Sequence, residues 1–541
     1  MKTIKIVSLI FFLLAINALY YQDILTFDFL FLDDQGNLLT NPYFNQDFWS
    51  FFSWSFTATY KANWYPLTWL SWKLDSLWNG PDPFYFHLTN LLLHGVNGCL
   101  VFLLAYTFVK RTQTVQLAVL TGFMLSLIFI VHPAHIESVA WVTERKDVLY
   151  AAWYLLGAYT YLRFCLRQET LPDYDRRATA WYGLTILTFA CSMMSKPMAI
   201  SFPLVLLATD YYFGRFAGTK SSVITVLCEK APFFLIALGS AVMTINAQGS
   251  RLTESDLGYF VRLVYAAKAL ILYFASSLVP WDVQPFYFVD DTFDPWDVVY
   301  LLAVVGFLVV FCVRKVYRHK PITCLLFLFV INLAPVLGLV QMGYQLRADR
   351  YIYIAQVIAT AMAAYLIYQG LCRLKQRLTL GRWAMTVMLL AYLAFLSTSF
   401  FAYLPVWKNS DTLTRAIYED HETNFLANFW RAKILLGQAQ FESARPLLDE
   451  CIRQFLGETQ HLNIHGLYRV FLPEVYFLRG MVSYELRQFA EAISYFEESL
   501  TSQGLGSDNR KFAFYYMAYS HRELGDRESY LRYKTIYEQF E

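Results

Sequence analysis

Long apolar runs, broken by short polar stretches, fill the chain up to about Leu404, and a polar, helix-prone pattern follows Trp407. Runs of about 18 or more apolar residues are long enough to cross a hydrocarbon core. Candidate segments lie at 4–21, 84–109, 116–134, 147–166, 180–195, 197–214, 222–245, 263–280, 296–313, 321–341, 352–371 and 384–404. The first of these, with Lys2 and Lys5 ahead of its apolar stretch, lacks a small-x-small cleavage site and reads as a retained span rather than a signal peptide.

Lys and Arg sort the connecting loops, because cytoplasmic loops carry the excess of positive charge. Lys110, Arg111, Arg163, Arg167, Arg176, Arg177, Arg215, Lys220, Arg314, Lys315, Arg318, Lys320, Arg373, Lys375, Arg377 and Arg382 go inside on this rule. The loop 281–295 has several Asp and no Lys or Arg, so it goes outside; the loop 246–262 also falls outside if 222–245 crosses once. Both hold only if 263–280 does not cross, which predicts a re-entrant or interfacial segment there. About eleven spans remain, with the N-terminus inside and the polar tail outside. The fold class expected is all-α: a polytopic bundle over 1–404, with a first extracytoplasmic loop at 22–83, then a helical array over 405–541.

The tail supplies its own pattern. "QFESARPLLDECI" (440–452) and "QFAEAISYFEESL" (488–500) share an aromatic residue, Ala three further on, and an apolar residue four beyond that: Phe441/Ala444/Leu448 and Phe489/Ala492/Phe496. Gly480 sits nine before Phe489, where two helices would need a small contact, and a weaker third copy surrounds Ala518 and Gly525. This is the tetratricopeptide pattern of stacked helical hairpins, about three copies, with a loop expected near 456–466. Such an array binds peptides or partner proteins, or serves as a structural cap.

Composition agrees with a membrane protein: 541 residues, 57% apolar, 18% aromatic, mean hydropathy +0.36. A formal net charge of +2 argues against nucleic acid as a partner. Eight cysteines without a Cys-x-x-Cys pair argue against a disulfide framework or a zinc site.

Several motifs carry a resemblance. "ANWYPLTWLSWKLDSLWNG" (62–80), "HLTNLLLHGVN" (87–97), "HPAHIESVAWVTERKDVL" (132–149), "SKPMAISFPLVLLATDYY" (195–212), "EKAPFFLIALGSAVMTINAQ" (229–248), "GLVQMGYQLRADRYIYI" (338–354) and "WKNSDTL" (407–413) resemble bacterial membrane proteins with tetratricopeptide tails. Those look like the animal transmembrane-and-tetratricopeptide protein O-mannosyltransferases, within the GT-C glycosyltransferases. The resemblance implies a polyprenyl-phosphate-linked sugar as donor, mannose being one choice, and a Ser/Thr hydroxyl of a protein as acceptor, captured by the tail. It implies a bacterial inner membrane, with site and tail on the periplasmic side among membrane lipids. An acidic pair opens the first extracytoplasmic loop of such enzymes, as Asp33-Asp34 does here; the Asp-Glu common in protein mannosyltransferases is Asp-Asp in this chain.

The chemistry such a reaction needs can be matched to residues. The acceptor hydroxyl needs a base on the face opposite the leaving phosphate, which inverts the anomeric centre. Adjacent carboxylates repel, so one holds its proton more tightly. Asp33 is read as the base, and Asp34 as positioning the acceptor or a divalent cation; the reverse assignment and a plain helix cap stay open. No cofactor is required otherwise. The leaving phosphate needs cations. Arg350 and Lys196 rank first, then Arg145, with Lys146 and Arg347 on the same face by this map; contact with lipid headgroups is the plain alternative. His132, His135 and Glu137 are read as lining donor phosphate or sugar. Pro133 between the histidines disfavours the regular helix that a metal pair would use. The Trp-rich stretch 48–78 predicts helices along the outer surface.

Two other functions fit the same pattern: a membrane-anchored tetratricopeptide scaffold recruiting envelope proteins, and a transferase modifying glycolipid or polysaccharide.

Overall fold

The computed structural model describes all residues except 1, 171–174, 217–222, 249–257, 290–292, 340–344, 374–377, 457–469, 502–503 and 541. Lys220, Lys375, Arg377, most of the loop expected at 456–466 and parts of the loops 246–262 and 281–295 therefore lie outside the described residues. The chain divides into two compact units: the first holds Met1–Leu252, Arg262–Phe288 and Pro295–Asn409, and the second holds Ser410–Glu541 with the short pieces Thr253–Val261 and Val289–Asp294.

In the first unit every apolar segment of the sequence is helical: α1 (Lys2–Tyr21), α4 (Pro83–Lys110), α5 (Val115–Val131), α7 (Arg145–Thr170), α8 (Arg176–Ser195), α9 (Phe202–Phe213), α11 (Ala231–Gln248), α12 (Tyr259–Leu278), α13 (Val298–Val313), α14 (Lys320–Leu333), α15 (Ala355–Arg373) and α16 (Leu378–Tyr403). Shorter helices intervene: α2 (Phe48–Thr57), α3 (Pro66–Asn79), α6 (Ile136–Ala140) and α10 (Val223–Cys228). The chain is all-α and polytopic; the described strands are a two-residue and a three-residue piece, Tyr287–Phe288 paired antiparallel with Gln345–Arg347.

Among the described residues, seven helices are long and apolar enough to cross a membrane, or eight if the bent pair Val115–Val131 and Pro133–Ala140 counts as one. Length and composition alone thus do not carry the expected count of about eleven. The segment 263–280, expected to be re-entrant or interfacial, is a single helix: α12 runs unbroken for 20 residues, which fits no re-entrant turn, and it is one of the seven by length and composition. A re-entrant turn frees backbone groups that need Pro, Gly or polar partners, and 261–278 holds neither Pro nor Gly. Lys268, one of the two cations on α12 with Arg262, pairs with Asp297 at 2.9 Å.

Helix α4 organises the bundle, lying against α1, α5 and α7. His87, Asn90, His94 and Asn97 recur at three- and four-residue intervals, so they form one stripe, and all are fully buried. The stripe answers a need created nearby. After Val131 the chain leaves the helix, because Pro133 has no N–H and His132 is extended (φ −73°, ψ 122°). The pair is bent by 59°. Buried carbonyls freed by such a break cost roughly 1–3 kcal/mol each if left unmet. Asn90 Nδ2 donates to Val139 O (3.1 Å) in the broken stretch, and Asn97 Nδ2 reaches Val148 O (2.9 Å) in the first turn of α7. His94 bonds the Tyr353 hydroxyl at 2.6 Å. The close approach of α4 and α5 needs Gly122, where a Cβ would sit 3.0 Å from the Phe102 carbonyl.

The Trp-rich stretch is indeed helical, but its indoles divide. Trp69 and Trp72 are fully buried with Phe51, Phe86 and Val142, whereas Trp49 and Trp78 are 73% and 78% exposed. Burying rings of this size makes the loop 22–83 a packed cap; truncating one such Trp costs about 3–5 kcal/mol.

The second unit consists of helices packed in sequence: Ser410–Asp420, Phe425–Gly437, Phe441–Leu456, Leu472–Glu485, Phe489–Thr501, Ser507–Glu523 and Arg527–Glu538. Phe441 and Phe489 each open a helix, and Ala444, Ala492 and Ala518 are fully buried. A Cβ on Gly480 would lie 2.7 Å from the Phe496 ring, so the two helices meet at van der Waals distance only because that side chain is absent.

Candidate functional site

The broken stretch after α5 does the positioning. From His132 to Arg145 it passes through a 3-10 turn, α6, an extended Trp141 and a second 3-10 turn before α7 begins, and every residue is buried. Changes of backbone conformation aim neighbouring side chains in different directions.

Glu144 is the hub. Its carboxylate meets three cations from three parts of the chain: Lys146 at 3.1 Å, Lys196 at 3.5 Å and Arg350 at 3.5 Å. Glu137 pairs with the Arg350 guanidinium and accepts its backbone N–H at 2.9 Å; Asp147 pairs with Lys196. The carboxylates are almost wholly buried, while Lys146, Lys196 and Arg350 keep 12–16% of their side chains open. Burial would raise the Glu144 pKa, but Lys146, Lys196 and Arg350 together hold it well below the usual carboxylate range. Tyr351 and Trp141 supply ring faces, 4.9 and 5.7 Å from the Arg350 guanidinium.

The acidic pair of the first loop adjoins this hub through Thr143. Asp34 is fully buried; one oxygen accepts the Thr143 N–H (2.8 Å) and hydroxyl (2.5 Å), and the other accepts the Leu30 N–H (2.9 Å). Burial pushes its pKa up to about 6, against those hydrogen bonds, and the Asp33 charge adds a smaller push. Asp33 is exposed, and its charge acts on Lys146 and on Tyr65. The pair is therefore divided: one carboxylate is built into the protein, and one is exposed with its charge acting on Lys146.

Among the residues that the sequence singled out, the structure thus brings together Asp33, Asp34, Glu137, Lys146, Lys196 and Arg350. It places Arg145 elsewhere. Arg145 turns away from Lys146 into the protein, where it bonds Asn90, Asp75 (2.6 Å) and the Phe86 carbonyl (2.7 Å) and has no exposure. Arg347 also points away from the hub, to Asp282 (3.0 Å) and Ser276 (2.8 Å), over the Tyr287 ring. His132 and His135 are buried under α6, with His135 Nδ1 bonded to the Phe129 carbonyl at 2.8 Å. Among the described residues no group of three His, Cys, Asp or Glu is placed to hold a metal ion.

Glu144, Asp147, Thr143 and Tyr65 were not singled out from the sequence. A signal did exist for two of them: Glu144 and Asp147 flank Arg145-Lys146, and carboxylates so close to two cations at a membrane boundary invite pairing.

Comparison with curated proteins finds partial similarity. The chain is 26% identical over 234 residues to the Xenopus laevis protein O-mannosyl-transferase tmtc2, covering 42% of this chain and 26% of that protein. It is 30% identical over 190 residues to human protein O-mannosyl-transferase TMTC1, covering 35% of this chain and 20% of that one. With mouse TMTC4, also a protein O-mannosyl-transferase, it shares 31% identity over 178 residues, covering 31% and 23%. The chain thus spans about a quarter of the length of the curated relatives it matches. No protein-family profile and no solved structure matches it.

Proposed function

We propose that the chain is an integral-membrane glycosyltransferase of the GT-C type. It moves a sugar, mannose by analogy with the relatives' names, from a polyprenyl-phosphate donor to Ser/Thr hydroxyls of proteins. The observation that carries the reading is the gathering of three partly open cations on one buried carboxylate, with the charge of the exposed Asp33 acting on one of them, Lys146.

On this reading the acceptor hydroxyl gives its proton to Asp33 as its oxygen bonds to the anomeric carbon. The bond from that carbon to the phosphate oxygen breaks, and its electron pair leaves with the phosphate. Lys146, Lys196 and Arg350 offset the added charge, which removes the need for a general acid. Glu144, Glu137 and Asp147 hold the cations in place before the donor arrives, so little reorganisation is needed. Asp34, with both oxygens engaged, is a positioning residue for Asp33. The site and the tail, read as a tetratricopeptide array that captures acceptor proteins, face the periplasmic side of a bacterial inner membrane. A divalent cation is not required by this scheme.

The test is single-turnover transfer to a Ser/Thr peptide and, separately, to lipid extracts, in membranes holding equal amounts of each variant. Asp33→Asn should slow transfer about 10²–10⁴-fold, the usual worth of a positioned base. Undiminished transfer by Asp33→Asn, or sugar arriving only on lipid, would remove the proposal.

A further inference from the structure

A second polar site lies at the opposite end of the helix that carries the hub. Lys146 and Asp147 occupy the first turn of α7, and Arg163 and Arg167 its last turns. At 1.5 Å per residue these pairs stand roughly 25–30 Å apart, about one hydrocarbon thickness. Arg163 and Arg167 face Arg177, Ala180, Trp181 and Leu184 of α8 around an open pocket of about 440 Å³.

The Arg163 charge faces neutral partners among the described residues and is available to a ligand. The Arg163 guanidinium donates to the Tyr159 hydroxyl at 2.8 Å and lies 5.0 Å from the Trp181 ring, and both partners are neutral. The neighbouring Glu169 is engaged by Arg111 at 2.5 Å, and Asp175 caps α8 by accepting the Arg177 N–H at 3.1 Å. An anion with several oxygens suits guanidinium forks.

The wall of the pocket continues as a stripe. Arg177, Trp181, Leu184 and Leu187 follow one another at three- and four-residue intervals along one face of α8, and Leu184 and Leu187 are 37% and 59% exposed. The stripe runs from the arginines towards Ser195, whose carbonyl meets Thr68 in the cap, hence towards the bilayer centre. From Arg177 to Leu187 it covers about 15 Å, half a hydrocarbon core. A free anion would have no use for such a track, whereas an acyl chain would lie along it with Trp181 at the headgroup level.

We propose that this pocket binds a phosphate-bearing lipid headgroup in the leaflet opposite the hub, with its acyl chain along Leu184 and Leu187. The inference does not rest on the glycosyltransferase reading.

The test uses the full chain in detergent, loaded with phosphatidylglycerol or phosphatidylcholine and read by native mass spectrometry. Wild type should retain the anionic lipid in excess, and Arg163→Gln/Arg167→Gln/Arg177→Gln should cut that excess at least about tenfold. The triple Lys variant keeps the charge and should stay within about threefold of wild type, which separates a lost site from a lost fold. Leu184→Ser/Leu187→Ser should lower retention, and millimolar inorganic phosphate should not displace the lipid. Equal retention of the two lipids would overturn the proposal. So would full retention by the Gln variant, or displacement by phosphate with no effect of the Ser variant, which marks a soluble anion.

Discussion

Thr143 gives both its backbone N–H, at 2.8 Å, and its hydroxyl, at 2.5 Å, to a single oxygen of Asp34, 109 residues earlier in the chain. The bond fastens the first loop to the broken stretch one residue before Glu144. The fastening holds Asp33, the residue before Asp34, where its charge acts on Lys146. Thr143→Val keeps the shape and the backbone bond but loses the hydroxyl. Thermal unfolding should report a loss of about 1.5–3 kcal/mol, the worth of a hydrogen bond to a charged group. Under the proposed mechanism turnover should fall more than donor affinity. A variant as stable and as active as wild type would show that the fastening is idle.

Asp34 also makes a pH prediction. Its ordinary value of 3.8 is raised to about 6 by burial. The folded state therefore holds this proton more tightly than the unfolded state. Its contribution to stability is present in full below pH 3.8 and is lost as the pH rises through 6. The difference comes to about 3 kcal/mol. Unfolding midpoints of wild type and Asp34→Asn, measured from pH 4 to 7.5, should diverge by that slope; parallel curves would contradict it.

Glu144→Gln leaves three cations facing one another around a neutral amide. Breaking a buried ion pair by removing one partner costs about 3–5 kcal/mol. The expected outcome is a lower unfolding midpoint, restored in part by Glu144→Gln/Lys146→Met, because removing a cation relieves the repulsion. Failure of the second change to restore anything would deny the hub its electrostatic role.

Arg145 and Lys146 are neighbours with opposite expected behaviour. Arg145→Met strands the buried Asp75 and Asn90 and should destabilise by about 3–5 kcal/mol. Lys146→Met should change stability less and donor affinity more. If donor affinity instead tracks Arg145 at unchanged stability, the separation of the two cations drawn here is wrong.

In the second unit, Gly480→Ala pushes a methyl group against Phe496. Overpacking of this kind costs about 1–3 kcal/mol. Denaturation of the full chain should show the loss, and Phe496→Leu on the same background should return part of it.

Much of the fold was legible because hydropathy and length fix where helices form in lipid. The described residues of all twelve apolar segments are largely helical, and the regular helix does stop at Pro133, although the expected segment 116–134 ran past it. The span count was less legible, since α7 and α8 bury polar faces against α4 and each other and dilute the apolar signal. The grouping of Lys146, Lys196 and Arg350 was anticipated only as a shared membrane face. Nothing in a single sequence says that Arg145 turns towards Asp75 and Lys146 towards Glu144; that depends on which side of the first turn of α7 meets α3 and α4. Arg347 illustrates the same limit: three residues from Arg350, it faces Asp282 because Gln345–Arg347 pairs with Tyr287–Phe288.

The 59° bend after Val131 has a consequence for how this protein can vary. Between Val131 and Arg145 the chain works as a gauge block. Inserting or deleting one residue there would swing everything downstream by about 100° in helical stretches, sending Glu144 towards Asn90 and Arg145 towards Lys196. Single side chains in the block can be exchanged one at a time at a local cost, but its residue count decides which charge looks which way.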